Sequence, residues 1–361
     1  MTPSSVISKD TKILYICGSL NQTTSLYKIS QALPPHQAFF TPFYVDGFLA
    51  FFDKFGALDF TPVGGVARGM TLDFLNANNL TVDYRGEAHD YDLVVTSQDI
   101  FVPKNILHRR VVLIQEGMTD PENAMYHLVK WFSLPRYLAS TSTTGLSDAY
   151  DIFCVASEGY KDLFIRKGVR PEKIRVTGIP NFDHCSQFLD NDFPYKNYVL
   201  VATSDARETY KYENRKKFIK RALEIANGRQ VIFKLHPNEN FERGVAEINK
   251  WAPDALVYTS GNTNHMIANC DVLITRFSTV VYVGIALGKE VHSEFDIDFL
   301  QRLTPIQNEG TSNISIANEI LTLLSETSGR QFSSNFPSYS SLTGFWNLLP
   351  KKLGTYFKNF S

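Results

Sequence analysis

The sequence predicts an α/β protein with two domains, each built around a parallel sheet. Short apolar segments typical of buried strands alternate with segments of helical periodicity, which is the pattern of doubly wound sheets. The alternation lapses between residues 181 and 196 and then resumes. A chain of 361 residues is long enough for two domains of ordinary size. The prediction therefore includes a cleft between the domains, where such proteins usually bind ligands.

The first half opens with a predicted strand at 13–17, which ends at Gly18-Ser19 and leads into a helix over 24–33. A strand, a turn of small residues and a helix form the start of a βα unit. Residues 36–90 are rich in aromatic side chains and give few clear elements. The other elements predicted in this half are strands at 93–96 and 111–115, strands within DIFCV and KIRV, and a helix over 160–167.

The second half resumes the alternation after a linker at 186–196. Its predicted strands lie within YVLVA, at 231–233, within ALVYT and within DVLIT, and its predicted helices cover 213–226, 241–251, 264–268 and 279–287. We therefore expect an N-terminal domain over residues 1–185 and a C-terminal domain over residues 197–330, both of the Rossmann type.

The composition excludes several classes of protein. A formal net charge of −1 lacks the basic excess of a nucleic-acid-binding protein. The N-terminus has no signal-peptide core, and no apolar run reaches about 18 residues. The four cysteines are far apart and form no CxxC pair, which favours a reducing compartment. The sequence therefore predicts a cytoplasmic protein that neither spans a membrane nor binds nucleic acid.

The tail at 331–361 differs in character from the rest of the chain. Its segment FWNLLPKKLGTYFKNF mixes bulky apolar residues with lysines. Two arrangements are open: the tail packs back on the N-terminal domain, or it lies on the inner face of a membrane through residues 345–358. In the second arrangement Phe345 and Trp346 would enter the apolar phase, with Lys351 at the headgroups.

Gln115-Glu116-Gly117 follows a predicted strand of the first half. In a parallel sheet this position faces the cleft, and burial beneath a second domain would raise the pKa of Glu116 toward the range that general base catalysis needs. The alternative is a glutamate that begins a helix near a glycine turn. Gly18, Ser19 and Gly117 are the other candidates on this side of the cleft.

The segment VIFKLHPNEN, residues 231–240, is predicted as a strand that stops at His236-Pro237. Proline cannot continue a central strand and holds the preceding residue extended. His236 should therefore lie at the carboxyl end of its strand, where open α/β sheets bind ligands. Lys234 is predicted on the same face, and both side chains suit a phosphate or ribose. The alternative is a histidine that only caps a loop.

Two further strand ends in the second half suit an anion. Thr203-Ser204 follow one strand and offer hydroxyl and backbone N–H donors at a strand-to-helix turn. Arg276 precedes Ser278-Thr279, which are expected to cap an apolar helix. The free N–H groups of that first turn would attract a phosphate; the alternative is an ordinary helix cap.

No metal site is predicted. Asp296-Ile297-Asp298 matches a short DxD pattern that is expected by chance in a chain of this length. The eight histidines are scattered without ligand spacing such as HExxH.

In the order of its elements the chain resembles the GT-B glycosyltransferases, a class with two facing Rossmann-type domains, over most of residues 11–325. Three short segments are similar to signatures of bacterial sialyltransferases and related transferases of CMP-activated sugars. These segments are Glu116-Gly117, His236-Pro237 and Ser278-Thr279.

This resemblance implies a glycosyltransferase that needs no metal or other cofactor. Glu116 would be the general base toward an acceptor hydroxyl on a glycan or glycolipid, on the N-terminal side. His236 would contact the nucleotide phosphate of a CMP-sugar of the sialic acid or Kdo type, and Ser278 and Thr279 would hold that phosphate. Lys234 and Arg276 would add positive charge as the nucleotide leaves.

A second resemblance competes with the first. KIRVTGIPNFD, FKLHPNEN and LITRFSTVVYVGIALGKE are similar to segments of CDP-glycerol glycerophosphotransferases. Those enzymes usually have histidine at the position of Glu116 and an acidic residue at that of Arg276. A CDP-activated donor and a polyol-phosphate transfer are therefore an alternative function.

The chain is also similar to non-hydrolysing UDP-GlcNAc 2-epimerases, which place a glutamate near a glycine in their first half. In that family, glutamates one helical turn after Ser-Gly-Gly hold the ribose, whereas Val281 and Val283 lie in this region here. An epimerase-like enzyme is therefore a further alternative.

The last alternative is a sugar-binding scaffold that has lost catalysis. It is suggested by the missing ribose carboxylate and by Gln115, which stands where the fuller sialyltransferase pattern has a second acid.

Overall fold

The computed structural model describes residues 7–47, 64–208 and 212–326. The predictions for the tail at 331–361 and for part of the aromatic-rich segment, 48–63, lie outside the described residues. Within the described ranges no helix is long and apolar enough to cross a membrane.

Two parallel sheets form the centres of two α/β domains, which confirms the predicted fold class. The first sheet has six strands in the order β2-β1-β3-β4-β5-β6. These strands are β1 (Lys12–Cys17), β2 (Gln37–Pro42), β3 (Leu93–Thr96), β4 (Val111–Ile114), β5 (Ile152–Val155) and β6 (Ile174–Val176). The second sheet has five strands in the order β11-β10-β7-β8-β9. These strands are β7 (Val199–Ala202), β8 (Val231–Lys234), β9 (Leu256–Tyr258), β10 (Val272–Thr275) and β11 (Glu290–His292).

Helices connect the strands and cover the sheets. The α-helices of the described residues are α1 (Leu20–Ala32), α2 (Gly65–Ala77), α3 (Ala124–Phe132), α4 (Glu158–Lys167), α5 (Arg215–Ala226), α6 (Phe241–Trp251), α7 (Thr263–Asn269), α8 (Val280–Ala286), α9 (Ile297–Leu303) and α10 (Ser312–Ser325). Short 3-10 segments lie at Tyr84–Gly86, Lys104–Ile106, Arg136–Thr143, Pro171–Lys173 and Cys185–Leu189.

The central strands are buried on both faces. Every residue of β3, β4, β7, β8 and β10 is buried. Parallel strands between two helical layers carry continuous apolar runs instead of an alternating pattern, which is why these strands were recognisable in the sequence.

Each sheet has one point where the strand order reverses. In the first sheet this point lies between β1 and β3, and in the second it lies between β7 and β10. Loops that leave two such strands run to opposite faces of the sheet and leave a crevice at their carboxyl ends, where open α/β sheets bind ligands.

Apolar packing joins the two domains directly. One core cluster contains Phe164 and Tyr160 from the first domain together with Val281, Tyr282 and Leu300 from α8 and α9 of the second. The buried hydroxyl groups of Tyr160 and Tyr282 lie 2.6 Å apart. The two domains therefore share part of a core at the base of the cleft.

Helix α10 returns to the first domain. Ile316 and Ile320 belong to the same apolar cluster as Leu26 and Ile29 of α1. The guanidinium group of Arg110 also donates to the Leu323 carbonyl at 2.9 Å. The exact domain boundaries remain a prediction, but the last described helix packs on the first domain.

Candidate functional site

The candidates of the first domain lie at the carboxyl edge of its sheet. β3 lies between β1 and β4, so the ends of β1 and β4 are about 10 Å apart at the usual strand spacing. Ser19 follows β1 and Glu116 follows β4. Their side chains span this gap, since the Ser19 hydroxyl donates to the Glu116 carboxylate at 2.7 Å.

Glu116 is held by the first turn of α1. The Gln22 amide donates to its second carboxylate oxygen at 2.5 Å. Gln22 also accepts from the Ser19 backbone N–H at 3.1 Å, and its own N–H donates to the Ser19 hydroxyl at 3.2 Å. A Cβ at Gly18 would lie 1.6 Å from the Gln22 amide oxygen. Gly18, Ser19 and Gln22 therefore form one support for the Glu116 carboxylate.

This capping box explains why α1 begins at Leu20, before the predicted start near Thr24. Serine followed three residues later by glutamine is its sequence signature. That signature would have identified the true start of the helix, whereas the bond from Gln22 to Glu116 joins residues 94 apart in the chain and has no local signal.

The pKa of Glu116 is raised above its ordinary value. Burial raises the pKa of Glu116, while hydrogen bonds from Ser19, Gln22 and Asn21 oppose the shift. Among the described residues no Lys, Arg or His forms an ion pair with Glu116. Desolvation favours the neutral acid and the donated hydrogen bonds favour the carboxylate, and an upward shift of this kind is how proteins adapt a carboxyl group to acid–base chemistry.

Gln115 has a structural role. Its side chain is buried, its amide donates to the Gly117 carbonyl at 2.8 Å, and its oxygen accepts from the Ala156 N–H at 2.9 Å. The side chain therefore links the loop after β4 to the loop after β5. The sialyltransferase pattern has a second acid at this position. Here the position holds an amide, which donates one hydrogen bond and accepts another.

The loop of Glu116 touches the second domain. A Cβ at Gly117 would lie 2.8 Å from the Thr279 hydroxyl oxygen and 2.9 Å from its methyl carbon. The Met118 N–H donates to the same hydroxyl at 3.3 Å. Glycine at 117 therefore permits close approach of the two domains beside the carboxylate.

Thr279 and Ser278 lie at the start of α8, as predicted, but Thr279 does not cap it through its side chain. Thr279 has helical backbone angles and makes no cap hydrogen bond, because its hydroxyl accepts from the first domain. Ser278 is half-buried and lines a small cavity of about 80 Å³ together with Phe277, Thr279 and Met118.

His236 follows β8 at the same edge of the second sheet. Its backbone N–H donates to the Thr203 hydroxyl at 3.1 Å and to the Glu239 carboxylate at 2.9 Å. Its Nδ1 accepts from the Asn238 N–H at 3.2 Å. In the neutral ring the proton is then on Nε2, which can donate to a ligand. The imidazole is about one-third exposed, at 34%.

Two of the predicted phosphate contacts point into the domain. Lys234 is buried, and its ammonium donates to the Leu235 carbonyl at 2.7 Å, so it does not share the exposure of His236. Thr203 is also buried, with its hydroxyl bound to Glu239. Ser204 is also buried, whereas Pro237 is exposed. Lys234 and Thr203 therefore support the strand ends from inside.

Arg276 belongs to a network of ion pairs that the sequence did not suggest. It binds Glu294 through Nε at 2.5 Å and lies 3.7 Å from Glu213. Glu213 is itself 2.6 Å from Arg215, which also binds Glu239. A phosphate could recruit Arg276 only by replacing one of these carboxylates. The network links the loop after β10 to the loop of His236.

The strand order sets the distances within the second domain. β7 lies between β8 and β10, so His236 and Ser278 follow strands that are about 10 Å apart. Ser278 adjoins the contact of Thr279 with the first domain. The structure therefore brings Ser278, Thr279 and the loop of Glu116 together, with His236 two strands away along the same edge.

The described residues contain no group of three or more His, Cys, Asp or Glu side chains that could hold a metal ion. Asp296 of the DxD segment caps α9, since its carboxylate accepts from the Phe299 N–H at 2.8 Å.

Comparisons with known proteins identify relatives in structure only. The sequence matches no protein-family model, and no curated protein is significantly similar to it. A UDP-GlcNAc 2-epimerase from Neisseria meningitidis bound to UDP-GlcNAc has a TM-score of 0.56 and 12% identity, covering 86% of this chain and 100% of that chain. The corresponding enzyme of Methanocaldococcus jannaschii, in complex with UDP-GlcNAc and UDP, has a TM-score of 0.53 and 15% identity, covering 87% of this chain and 100% of that chain.

A co-structure of S. aureus MnaA with UDP has a TM-score of 0.54 and 12% identity, covering 87% of this chain and 97% of that chain. These likenesses show that the GT-B-type fold is shared over nearly the whole described chain.

Proposed function

We propose that the protein is an enzyme that acts on a nucleotide-activated sugar between its two domains, with Glu116 as the group that exchanges the proton. The proposal depends on one observation. Glu116 is bound by the neutral donors Ser19 and Gln22, its pKa is raised, and its loop touches Thr279 of the second domain. A carboxyl group in this state suits proton transfer to or from a bound sugar.

A UDP-linked sugar is the first substrate class to test. The structural neighbours with TM-scores above 0.5 include epimerases bound to UDP-GlcNAc and to UDP. The CMP-activated and CDP-activated donors implied by the sequence resemblances have no support from these neighbours. We therefore place 2-epimerisation of a UDP-sugar before sugar transfer from CMP or CDP.

We propose that the nucleotide phosphates lie against the second domain. Nε2 of His236 is an accessible donor, and Ser278 lines the small cavity beside Thr279. A charge-assisted hydrogen bond from such a donor contributes about 1.5–3 kcal/mol. We therefore expect His236→Ala to weaken UDP binding by about 10- to 150-fold, measured by titration calorimetry.

Incubation with UDP-GlcNAc in D₂O distinguishes the two reactions. Inversion at C2 breaks a C–H bond and forms another on the opposite face, so the epimerised sugar should carry deuterium at C2. Transfer of the sugar to a hydroxyl leaves that C–H bond intact and releases the nucleotide. Proton NMR and mass spectrometry of the recovered sugar nucleotide measure the first outcome, and the amount of free UDP released with an acceptor present measures the second. Absence of epimerisation and of nucleotide release with UDP-, CMP- and CDP-linked donors, with glycan acceptors present, would favour a binding scaffold.

Glu116→Gln provides the matched control. The amide keeps the size of the side chain but removes the exchangeable proton. We expect the reaction rate to fall by about 10²- to 10⁴-fold with UDP binding retained. Turnover at the wild-type rate by this variant would exclude Glu116 as the acid–base group, whichever reaction the enzyme performs.

Glycosyl transfer remains the second candidate because of α8. Val281 and Val283 of this helix are fully buried, in the region where the epimerase resemblance calls for ribose-holding glutamates. A transferase would bind a glycan or glycolipid acceptor on the side of Gly18, Ser19 and Gly117. The glycolipid acceptor, the membrane-surface contact and the cytoplasmic location are proposals that accompany this second candidate.

A further inference from the structure

A second cavity lies where α4 of the first domain meets α8 and α9 of the second. Its volume is about 150 Å³. Its walls are mostly apolar and include Leu163, Phe295, Phe299, Leu300 and Leu303. An engineered apolar cavity of about 150 Å³ in another protein holds benzene. The space therefore has the size and lining for one small ring.

Lys167 lines this cavity from the last turn of α4. The residue is only 2% exposed, and among the described residues its ammonium group has no hydrogen bond and no ion pair. Its neighbours are the rings of Tyr126 at 5.5 Å and Phe164 at 5.8 Å. These rings and the carboxyl end of α4 favour a positive charge, but none of them is a counter-ion.

The charged groups that influence Lys167 most are Glu122, Asp99, Asp120 and Lys130. Of these, Asp120 and Glu122 line the same cavity as Lys167. Burial is the largest influence and lowers the pKa of Lys167 to about 8, whereas the three carboxylates oppose this shift. At pH 7 the ammonium form therefore predominates, so the cavity contains a buried charge.

The three carboxylates are directed elsewhere. Asp99 forms an ion pair with Arg136 at 3.2 Å. Asp120 accepts from the Thr141 hydroxyl at 2.9 Å, and Glu122 is exposed to solvent. A buried cation without a paired anion is costly. Because these carboxylates are close, a ligand with two negative charges would be repelled more than one with a single charge.

We propose that this cavity is a binding site for a small apolar monocarboxylate, whose ring or branched chain fills the apolar space and whose carboxylate pairs with Lys167. Both features are required. The apolar walls select a ligand body of about the size of benzene, and Lys167 selects an anionic end. The site holds neither Glu116 nor His236, but it adjoins the small cavity of Ser278, with which it shares lining residues that include Met118 and Phe295.

Benzoate is the test ligand and benzamide its neutral control, because the two have the same ring and nearly the same shape. Titration calorimetry at pH 7 should show saturable binding of benzoate and at least tenfold weaker binding of benzamide. Lys167→Met should weaken benzoate binding at least tenfold. Lys161→Met is the matched variant: Lys161 lies on the same helix but pairs with Glu158 at the surface, and its loss should leave binding unchanged.

The pH dependence tests the same claim without any substitution. Benzoate stays ionised between pH 7 and pH 9, whereas Lys167 loses its proton near pH 8. Benzoate affinity for the wild-type protein should therefore fall over this range. Undetectable binding of benzoate, equal binding of benzamide, or an unchanged affinity in Lys167→Met would overturn the proposal. No sugar nucleotide is present, so these results are independent of the proposed function.

Discussion

The two domains each carry carboxylates at the carboxyl edge of the sheet, and they stabilise them in opposite ways. In the first domain Glu116 is bound by uncharged donors from the start of α1. In the second domain Glu213 and Glu239 both bind Arg215, and their side chains are 1% exposed. The side chains of the second cluster are buried, whereas Glu116 is half-buried, and only the second cluster contains its own counter-ions.

The difference lies in the donors around each carboxylate, because burial raises the pKa of Glu116 and of Glu213 alike. A neighbouring guanidinium group favours the ionised carboxylate, and at Glu213 the guanidinium groups of Arg215 and Arg276 oppose the upward shift of the pKa that burial causes. Neutral donors offset desolvation only in part, so Glu116 keeps its raised pKa. Glu239 instead positions His236, whose backbone N–H it accepts. The first cluster therefore leaves Glu116 partly exposed at the edge of its sheet, and the second orients His236, which we propose as a ligand contact.

Arg215→Met should have the largest effect on stability. The substitution leaves Glu213 and Glu239 buried without their shared counter-ion, and breaking a buried ion pair in this way costs about 3–5 kcal/mol. Urea denaturation would measure the loss in the free energy of unfolding. Arg221→Met on the exposed face of the same helix should change it by less than about 0.5 kcal/mol. Equal stabilities of the two variants would show that the second cluster does not need its cation.

Gly117→Ala tests the contact between the domains beside the first cluster. The new Cβ would lie within 2.9 Å of the Thr279 side chain, and overpacking of this kind costs about 1–3 kcal/mol. Thr279→Ala in the same chain removes the clash and should restore most of the loss, as a double-mutant cycle would show. Gly69→Ala, in α2 with no atom within 4 Å of the new Cβ, should instead stabilise the protein by about 0.5–1 kcal/mol.

Glu116→Gln should change how stability depends on pH. A carboxyl group whose pKa is raised on folding binds more protons in the folded state, so its cost appears as pH rises above the ordinary value of 4.5. The cost is complete above the folded-state pKa. Each unit of pKa difference corresponds to about 1.4 kcal/mol.

Denaturation from pH 4 to pH 8 should therefore show the variant gaining stability relative to the wild type as pH rises. A constant difference across this range would mean that folding does not shift the pKa of Glu116.

Loss of a helix cap should have the smallest effect and should separate the two clusters. Ser19→Ala removes the side chain that caps α1. Asn214→Ala removes the side chain that caps α5, where the Asn214 amide oxygen accepts from the Lys217 N–H at 3.0 Å. Each should cost about 1 kcal/mol. Only Ser19→Ala also removes a hydrogen bond to Glu116, so only it should raise the pKa of Glu116 further.

The pH–rate profile measures this difference. In Ser19→Ala the limb that reports ionisation of Glu116 should move to higher pH, while in Asn214→Ala it should stay in place. A shift of the same size in both variants would indicate a general loss of stability.

The sequence alone predicted the fold class and most of the strands, but not the edge strands β2 and β11. The strand Leu93–Thr96 and the helix Phe241–Trp251 have the predicted bounds. A buried parallel strand appears in the sequence as a continuous apolar run, and an amphipathic helix appears as apolar residues that recur every three to four positions. Local chemistry also placed His236 after β8, since proline stops a strand. The roles in catalysis and nucleotide binding remain predictions.

Only the tertiary structure decided the partners of these residues. It placed the Lys234 ammonium inside the domain, assigned Gln115 to a link between two loops and left Lys167 unpaired in an apolar cavity. Met118 and Thr279, which join the domains, are 161 residues apart in the chain. Whether a charged side chain meets water, a counter-ion or another domain depends on how the two sheets pack. Local periodicity carries no record of that packing.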